Sequence, residues 1–160
     1  MKELSVNLSF IKTIKQTESA IEKQANLELL LRYLSFRNVE YKPGLDVHEY
    51  LDAALIDIAN DKNFDRIKEK RVFEETFELL DSSLGEDAFR RWDGTRFTGK
   101  FLMSSFEVLA NGVSKNLEAI SKLGNVESQN FIIQRAKILW DDPTFQKNSG
   151  AGVRLSLIHI

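Results

Sequence analysis

The sequence predicts an all-α protein, an irregular bundle of about six or seven helices with no sheet. Apolar residues recur at three- and four-residue spacing along most of the chain, which is the period of an amphipathic helix. No stretch of four to eight residues alternates convincingly between apolar and polar side chains, as a half-buried strand requires. Because no internal repeat is visible, we expect residues 1–154 to form a single helical domain.

Four helices are predicted in the first half of the chain, over Met1–Thr17, Ser19–Arg37, Asp46–Ala59 and Phe64–Leu84. The second contains three consecutive leucines, which is wide for one apolar stripe, so we expect it to be central and buried on more than one side. The expected core positions are Leu4, Leu8, Ile11, Ile14, Ile21, Leu27, Leu30, Leu31, Leu34, Phe36, Tyr50, Leu51, Ala54, Leu55, Ile58, Phe64, Ile67, Val72, Phe73, Phe77, Leu80 and Leu84.

Local signals mark the ends of two of these helices. Asp46-Val-His-Glu49 is a capping box, in which Asp46 and Glu49 each accept a free amide of the first turn. Gly85 lies where a C-terminal cap glycine belongs. His48 has no second histidine or clustered carboxylate at metal-ligand spacing, so we expect a solvated side chain and no metal site.

The second half predicts a short helical turn over Glu86–Trp92, a loop over Gly94–Gly99 and two longer helices. The first of these starts near Phe101 and keeps its periodicity to Leu123-Gly124, and the second covers Val126–Trp140. Asp141-Asp142-Pro143 closes the last helix, because proline cannot continue the hydrogen-bond ladder.

Residues 155–160, Leu-Ser-Leu-Ile-His-Ile, resemble the translation of a transposase mosaic-end sequencing adapter. We therefore expect a non-native tail joined to a truncated reading frame, and we exclude His159 from the candidate sites. A short apolar tail that docks on the body of the protein is the alternative.

The composition is that of a globular protein. The chain has 160 residues, of which 42% are hydrophobic and 29% charged, well away from the composition of disordered chains. No apolar run reaches the roughly eighteen residues that span a membrane, and the N-terminus lacks the apolar core of a signal peptide, so we expect a cytoplasmic protein with no membrane partner. The absence of cysteine excludes disulfides, thiolate zinc sites and cysteine nucleophiles. A net charge of −2 argues against nucleic-acid binding over the whole surface and leaves a local basic patch open.

The stretch Phe89–Glu107 raises the main functional question. It contains Gly94-x-x-x-x-Gly99-Lys100, which is close to the phosphate loop of nucleotide-binding proteins. The next residue is Phe101, so the hydroxyl that would bind magnesium is missing, and a charged helical turn precedes the loop where the motif needs a strand. One feature of an anion site is still expected after these two are excluded. Gly99-Lys100 should open a helix whose N-terminal amides could hold an anion.

Four cations in this stretch could follow a nucleic-acid backbone, with Trp92 and Phe97 as neighbouring stacking groups. These candidate DNA- and phosphate-binding residues are Arg90, Arg91, Arg96 and Lys100. The alternative, which we favour, places the phenylalanines in the core and pairs the arginines with nearby acids.

No catalytic residue is predicted. The pair Asp141-Asp142 has no acid–base partner around it, and cap roles suffice for both residues. With one credible histidine, His48, no Ser-His-Asp arrangement can be proposed. Glu28 and Arg32 lie four residues apart and are expected to form an ion pair along one helix face.

Several stretches, taken in order, resemble one family. They are Leu27-Glu-Leu-Leu-Leu-Arg-Tyr-Leu34, Tyr41 with His48-Glu-Tyr-Leu51, Phe73 to Arg90 with Phe77, Leu84-Gly85 and Ala88-Phe89, Arg96-Phe97 with Phe101-Leu-Met-Ser-Ser-Phe-Glu107, and Trp140 to Phe145 followed by Ser149-Gly-Ala-Gly-Val-Arg154. This order is similar to the helical, C-terminal half of the N-terminal domain of GmrSD-type modification-dependent restriction endonucleases. The match covers most of residues 20–154.

The resemblance implies that this chain is part of a longer protein, called the parent protein below. It implies a function for that parent protein more than for this chain by itself. In the family, an upstream ParB/sulfiredoxin-like subdomain carries an Asp-Gly-Gln-Gln-Arg motif associated with nucleotide-dependent DNA cleavage, and many members add an HNH-type nuclease domain. Neither is found in this sequence. The resemblance therefore implies a non-catalytic support or recognition part of a DNA-defence protein that packs on an upstream nuclease/NTPase subdomain, with DNA as a further partner. It implies no cofactor in this chain, and a nucleotide and a divalent metal ion for the parent protein.

Arg96 and Glu107 resemble the most characteristic polar positions of this half of the family. A half-buried ion pair between them would fix the loop on the following helix.

Two other functions stay open. One is a free-standing helical module that binds another protein. The other is a small nucleotide-binding protein that uses Gly94–Lys100.

Overall fold

The computed structural model describes residues 1–15 and 22–149, and the predicted all-α class is confirmed in them. The α-helices are α1 Leu8–Thr13, α2 Glu22–Asn38, α3 Val47–Asn60, α4 Arg66–Leu84, α5 Met103–Lys115, α6 Leu117–Ser121, α7 Asn125–Ile138 and α8 Pro143–Asn148. Short 3-10 helices cover Leu4–Val6, Gly85–Asp87 and Leu139–Asp141. Ser19 and Ile21 of the predicted second helix, the motif residues 150–154, and the tail 155–160 with His159 lie outside the described residues.

The principal core surrounds α4, against which α1, α5 and α7 pack, while α2 packs on α5 and α3. Its centre is a cluster of aromatic rings. The Phe77 ring lies 4.8 Å from that of Phe10 and 4.7 Å from that of Phe73, and the Tyr33 ring is 5.4 Å from that of Phe73. All four side chains are fully buried. Aromatic pairs at these separations add to the stabilisation that burial of their area provides.

The helix-end signals form as predicted. The Glu49 amide donates to Asp46 Oδ1 at 3.0 Å and the Asp46 amide donates to Glu49 Oε2 at 3.2 Å, which is the capping box. Gly85 ends α4 with a φ of +54°, a backbone region that disfavours other residues.

Two predicted core residues, Leu8 and Ile67, are instead 84% exposed. The Asn7 side chain accepts the amide of Phe10 at 3.0 Å and caps α1, so Leu8 becomes the first residue of the helix and the buried stripe runs through Phe10 and Ile14. Ile67 lies in the first turn of α4, where residues 66–68 are all exposed.

The second half of the chain departs from the prediction in three places. A small antiparallel hairpin, β1 Arg91–Trp92 and β2 Phe97–Thr98, replaces part of the predicted helical turn. The helix expected from Phe101 begins at Met103 and breaks at Asn116 into α5 and α6. Pro143 begins a further helix, α8, because a proline at the first helical position loses no hydrogen bond.

Candidate nucleic-acid interface

The hairpin holds the basic stretch in a defined conformation. Arg91 pairs with Thr98, and Trp92 pairs with Phe97, whose ring lies 5.0 Å from the indole. The Leu102 amide donates to the carbonyl of Phe89 at 2.9 Å and joins the end of the hairpin to its start. Phe89 is buried against Phe106 of α5, with ring centres 5.1 Å apart. The hairpin is therefore anchored to the main core at its base.

The turn of the hairpin already contains an anion of its own. Asp93 Oδ1 accepts the amides of Thr95 and Arg96, both at 2.8 Å, and the Thr95 hydroxyl at 2.9 Å. These hydrogen bonds, those of the Arg96 and Thr95 amides first, lower the pKa of Asp93 to about 2. Two of the loop amides that a phosphate could use, those of Thr95 and Arg96, are thus occupied by the Asp93 carboxylate.

Neither prediction about the elements around the near-phosphate loop is confirmed. The expectation that Gly99-Lys100 opens a helix is wrong, since α5 begins at Met103 and Lys100 lies outside its first turn. The element that precedes Gly94 is the strand β1, not the predicted helical turn, but it has two residues and belongs to a hairpin. The geometry therefore offers no buried strand to present a phosphate nest, and two of the loop amides are already bound by Asp93.

Two cations are held against indole rings where the hairpin meets the end of α7. Arg91 Cζ lies 5.6 Å from the ring centre of Trp140, and Lys137 Nζ lies 4.4 Å from that of Trp92. Contacts of this length are cation–π interactions, which restrict a charged side chain without neutralising it. Trp140 is buried against Phe145 of α8, with ring centres 4.8 Å apart.

The predicted basic residues fall into two groups. Arg90 is half-buried and its Nη1 donates to Asp87 Oδ1 at 3.3 Å, so part of its charge is compensated. Arg91, Arg96 and Lys100 are exposed. Arg96 is 79% exposed and its Nε lies 4.0 Å from Asp93 Oδ2.

We use the name hairpin face for the basic hairpin surface together with the end of α7 that packs on it. It comprises Arg91, Trp92, Arg96, Lys100, Lys137 and Trp140. Lys137 and Trp140 were not predicted for this site, because they follow the hairpin by about forty residues along the chain and no local pattern links them to it.

The predicted ion pair between Arg96 and Glu107 is wrong. Glu107 points into the core and its Oε1 accepts from Arg32 Nη1 at 2.8 Å. The predicted pair of Arg32 with Glu28 is present, but at 3.5 Å and on the exposed side. Burial raises the pKa of the Glu107 carboxyl, and the Arg32 charge offsets this in part.

A separate apolar groove of about 650 Å³ lies between α5, α6 and α7. Val113, Ile120 and Ile132 are among the residues that line it. Leu123 and Ile138, which also line it, are about half exposed, at 47% and 50%. Large apolar side chains that remain accessible beside a groove are a common feature of sites that bind other proteins.

Within residues 1–15 and 22–149, no three His, Asp or Glu side chains are grouped so that they could hold a metal ion. Over the same residues, no helix combines the length and the apolar character that crossing a membrane demands. Compared with known proteins, the chain matches no family model, no curated protein and no solved structure.

Proposed function

We propose that this chain is the non-catalytic helical support and recognition part of a cytoplasmic, restriction-type DNA-defence protein, and that its hairpin face contacts the nucleic-acid backbone. The proposal combines the ordered resemblance with one observation. Arg91 and Lys137 are held against indole rings, and Arg96 and Lys100 are exposed in the hairpin turn and just after β2. The upstream nuclease/NTPase subdomain of the parent protein is the second expected partner.

The contact that this face supports is with phosphates more than with bases. Trp140 is 6% exposed, so its ring orients Arg91 and offers no open surface for a base to stack on. Asp93 accepts backbone amides through Oδ1 and lies 4.0 Å from Arg96 through Oδ2, whereas Arg91 and Lys100 form no ion pair among the described residues. Phosphate contacts of this kind give affinity that is insensitive to sequence and falls with salt.

The test is charge reversal of two exposed members of the face, Arg91→Glu with Lys100→Glu. Binding of a fluorescent DNA oligonucleotide is followed by anisotropy at several salt concentrations. We expect affinity to fall by about tenfold or more at low salt and the slope of log K against log salt to shrink by about two, since each lost phosphate contact removes about 0.9.

Lys42→Glu with Lys62→Glu is the matched control, because both lysines are exposed, form no ion pair among the described residues and lie outside the hairpin face. The control should keep most of the affinity. Equal losses in the two double variants would show that net charge, not this face, sets binding. Thermal unfolding of both variants checks that the fold is kept.

The apolar groove favours a second candidate function, a helical module that binds another protein. An accessible groove should bind the dye ANS, and Ile138→Asp, placed on its half-exposed edge, should reduce the dye's fluorescence. A wild-type chain that leaves ANS fluorescence unchanged would contradict this function.

The hypothesis of nucleotide binding through Gly94–Lys100 is the weakest of the three. It requires that Lys100→Ala abolish binding of ATP with magnesium. Because Asp93 occupies the Thr95 and Arg96 amides of the loop, we expect this substitution to leave any such binding unchanged, as measured by isothermal titration.

A further inference from the structure

A second cationic site lies away from the hairpin face, in a pocket of about 610 Å³ formed by α2, α4, α5 and α6. We propose that this pocket, called the cationic pocket below, binds a compact oligophosphate anion such as tripolyphosphate. The proposal is independent of the function proposed for the hairpin face, because the two sites share no residue.

The floor of the cationic pocket is a fixed arginine. Arg37 Nε and Nη2 donate to the two carboxylate oxygens of Glu69 at 2.8 and 3.1 Å, and Nη1 donates to the carbonyl of Ser114 at 3.2 Å. The Asn38 side-chain amide donates to the same carboxylate at 3.1 Å. A forked arginine–carboxylate pair with a further hydrogen bond is rigid and locally neutral. Arg37 therefore shapes the pocket, and the attraction for an anion comes from its rim.

The rim has an excess of positive charge. Four exposed cations line it, Lys68 and Arg71 from α4, Lys115 from the end of α5 and Lys122 after α6. Two carboxylates lie among them, and each pairs along its own helix with one cation: Glu75 with Arg71 at 4.0 Å and Glu118 with Lys122 at 3.0 Å.

Lys68 and Lys115 remain without an ion-pair partner among the described residues. They come from different helices and line the same open pocket. An anion with two or more charges that bridges them would replace two solvated charges by two ion pairs in a concave setting, where the field of each cation is focused.

The shape and lining of the cationic pocket select the class of ligand. Its charge is concentrated around a volume within the range of small-molecule sites, whereas a polymer would need an extended track. No aromatic side chain is among its lining residues, so nothing there would stack on a base. The ligand is therefore recognised by its phosphates and not by a nucleoside.

The test is isothermal titration of the full chain with tripolyphosphate, ATP and adenosine at neutral pH and low ionic strength. We expect tripolyphosphate and ATP to bind with similar affinity and adenosine to give no heat. Lys68→Ala with Lys115→Ala should lower the affinity for tripolyphosphate by about tenfold, since two exposed ion pairs together contribute about that much. Rising salt should lower this affinity further.

Lys42→Ala with Lys62→Ala removes the same charge outside the cationic pocket and should change tripolyphosphate affinity by less than about twofold. The hairpin variant Arg91→Glu with Lys100→Glu should also keep tripolyphosphate binding, which separates this proposal from the function proposed above.

Four results would overturn the proposal. Three concern the small ligands: no heat with millimolar tripolyphosphate, an equal loss of tripolyphosphate affinity in the Lys42/Lys62 control, or binding of adenosine. The fourth is a Lys68/Lys115 variant that loses as much affinity for a DNA oligonucleotide as for tripolyphosphate. The last result would make the pocket part of a nucleic-acid surface.

Discussion

Removal of the charge of Arg32 should destabilise the fold more than removal of the charge of Glu107. The two side chains are 11% and 6% exposed, and their closest atoms are 2.8 Å apart. Arg32 has a second partner, Glu28, at 3.5 Å, whereas Arg32 is the single ion-pair partner of Glu107 among the described residues. Arg32→Met therefore leaves a buried carboxylate alone, and Glu107→Gln leaves an arginine that can still turn to Glu28.

The size of the effect follows from this asymmetry. Breaking a buried ion pair from one side costs about 3–5 kcal/mol, and little solvent reaches Glu107 to reduce that cost. We expect a loss of about 3 kcal/mol in the free energy of unfolding for Arg32→Met, or about 6–12 °C in Tm for a chain of this size. For Glu107→Gln we expect about 1–2 kcal/mol.

The penalty for Arg32→Met should also depend on pH. Burial already raises the pKa of Glu107 above its ordinary value of 4.5, and loss of the Arg32 charge raises it further. A carboxyl whose pKa is higher in the folded state contributes stability that is present below the unfolded pKa and is lost as the pH rises through the folded one. The penalty should therefore be large at pH 7 and shrink towards pH 4.

Urea unfolding followed by far-ultraviolet circular dichroism at pH 7 and at pH 4 measures these differences. Arg71→Met is the control, because Arg71 is 67% exposed and its partner Glu75 is 4.0 Å away, and it should cost no more than about 0.5 kcal/mol. An equal loss for Glu107→Gln and Arg32→Met at pH 7, or an Arg32→Met penalty that is the same at both pH values, would contradict this asymmetry.

Two further predictions concern the hairpin turn and the aromatic core. Asp93→Asn should speed hydrogen exchange of the Thr95 amide, measured by NMR, because a neutral acceptor replaces the carboxylate that holds the turn. The pKa of Asp93, about 2, lies below its ordinary 3.8. In the wild type, the protection of the Thr95 amide from exchange is therefore complete above about pH 4 and should decline as the pH falls towards 2. An unchanged exchange rate in the variant would contradict this role of Asp93. Phe77→Ala should lower the free energy of unfolding, measured by chemical denaturation, by about 3–5 kcal/mol, since its fully buried ring packs against four others. Ile67→Ala, at an 84% exposed position, should lower it by less than about 0.5 kcal/mol. Similar losses in the two alanine variants would refute the assignment of the core.

The helical class and the helix ends could be predicted because their causes are local. The capping box of Asp46 and Glu49 depends on residues three apart, and the terminal glycine, Gly85, depends on its own φ. Periodicity also placed Phe73 and Phe77 in the core. It failed for Leu8 because the cap at Asn7 reset the buried stripe of α1, a change of register that apolar spacing does not reveal.

The candidate sites depend on contacts between residues far apart in the chain. Glu107 was expected to pair with Arg96, eleven residues before it, but the packing of α5 on α2 brings it to Arg32 instead. The resemblance to the restriction family remains a prediction, since it depends on the order of weak local motifs and no contact tests it.

The order of charged residues along one helix cannot show which cations of different helices line the same pocket. Lys68 belongs to a mixed-charge run that is typical of a solvated helix face, and in the folded chain it lines one pocket with Lys115 of α5. Lys137 likewise meets Trp92 of the hairpin only where α7 packs beside it. Local sequence thus determines which helices form and where they end. The packing of those helices, set by burial of the aromatic core, determines which charges meet.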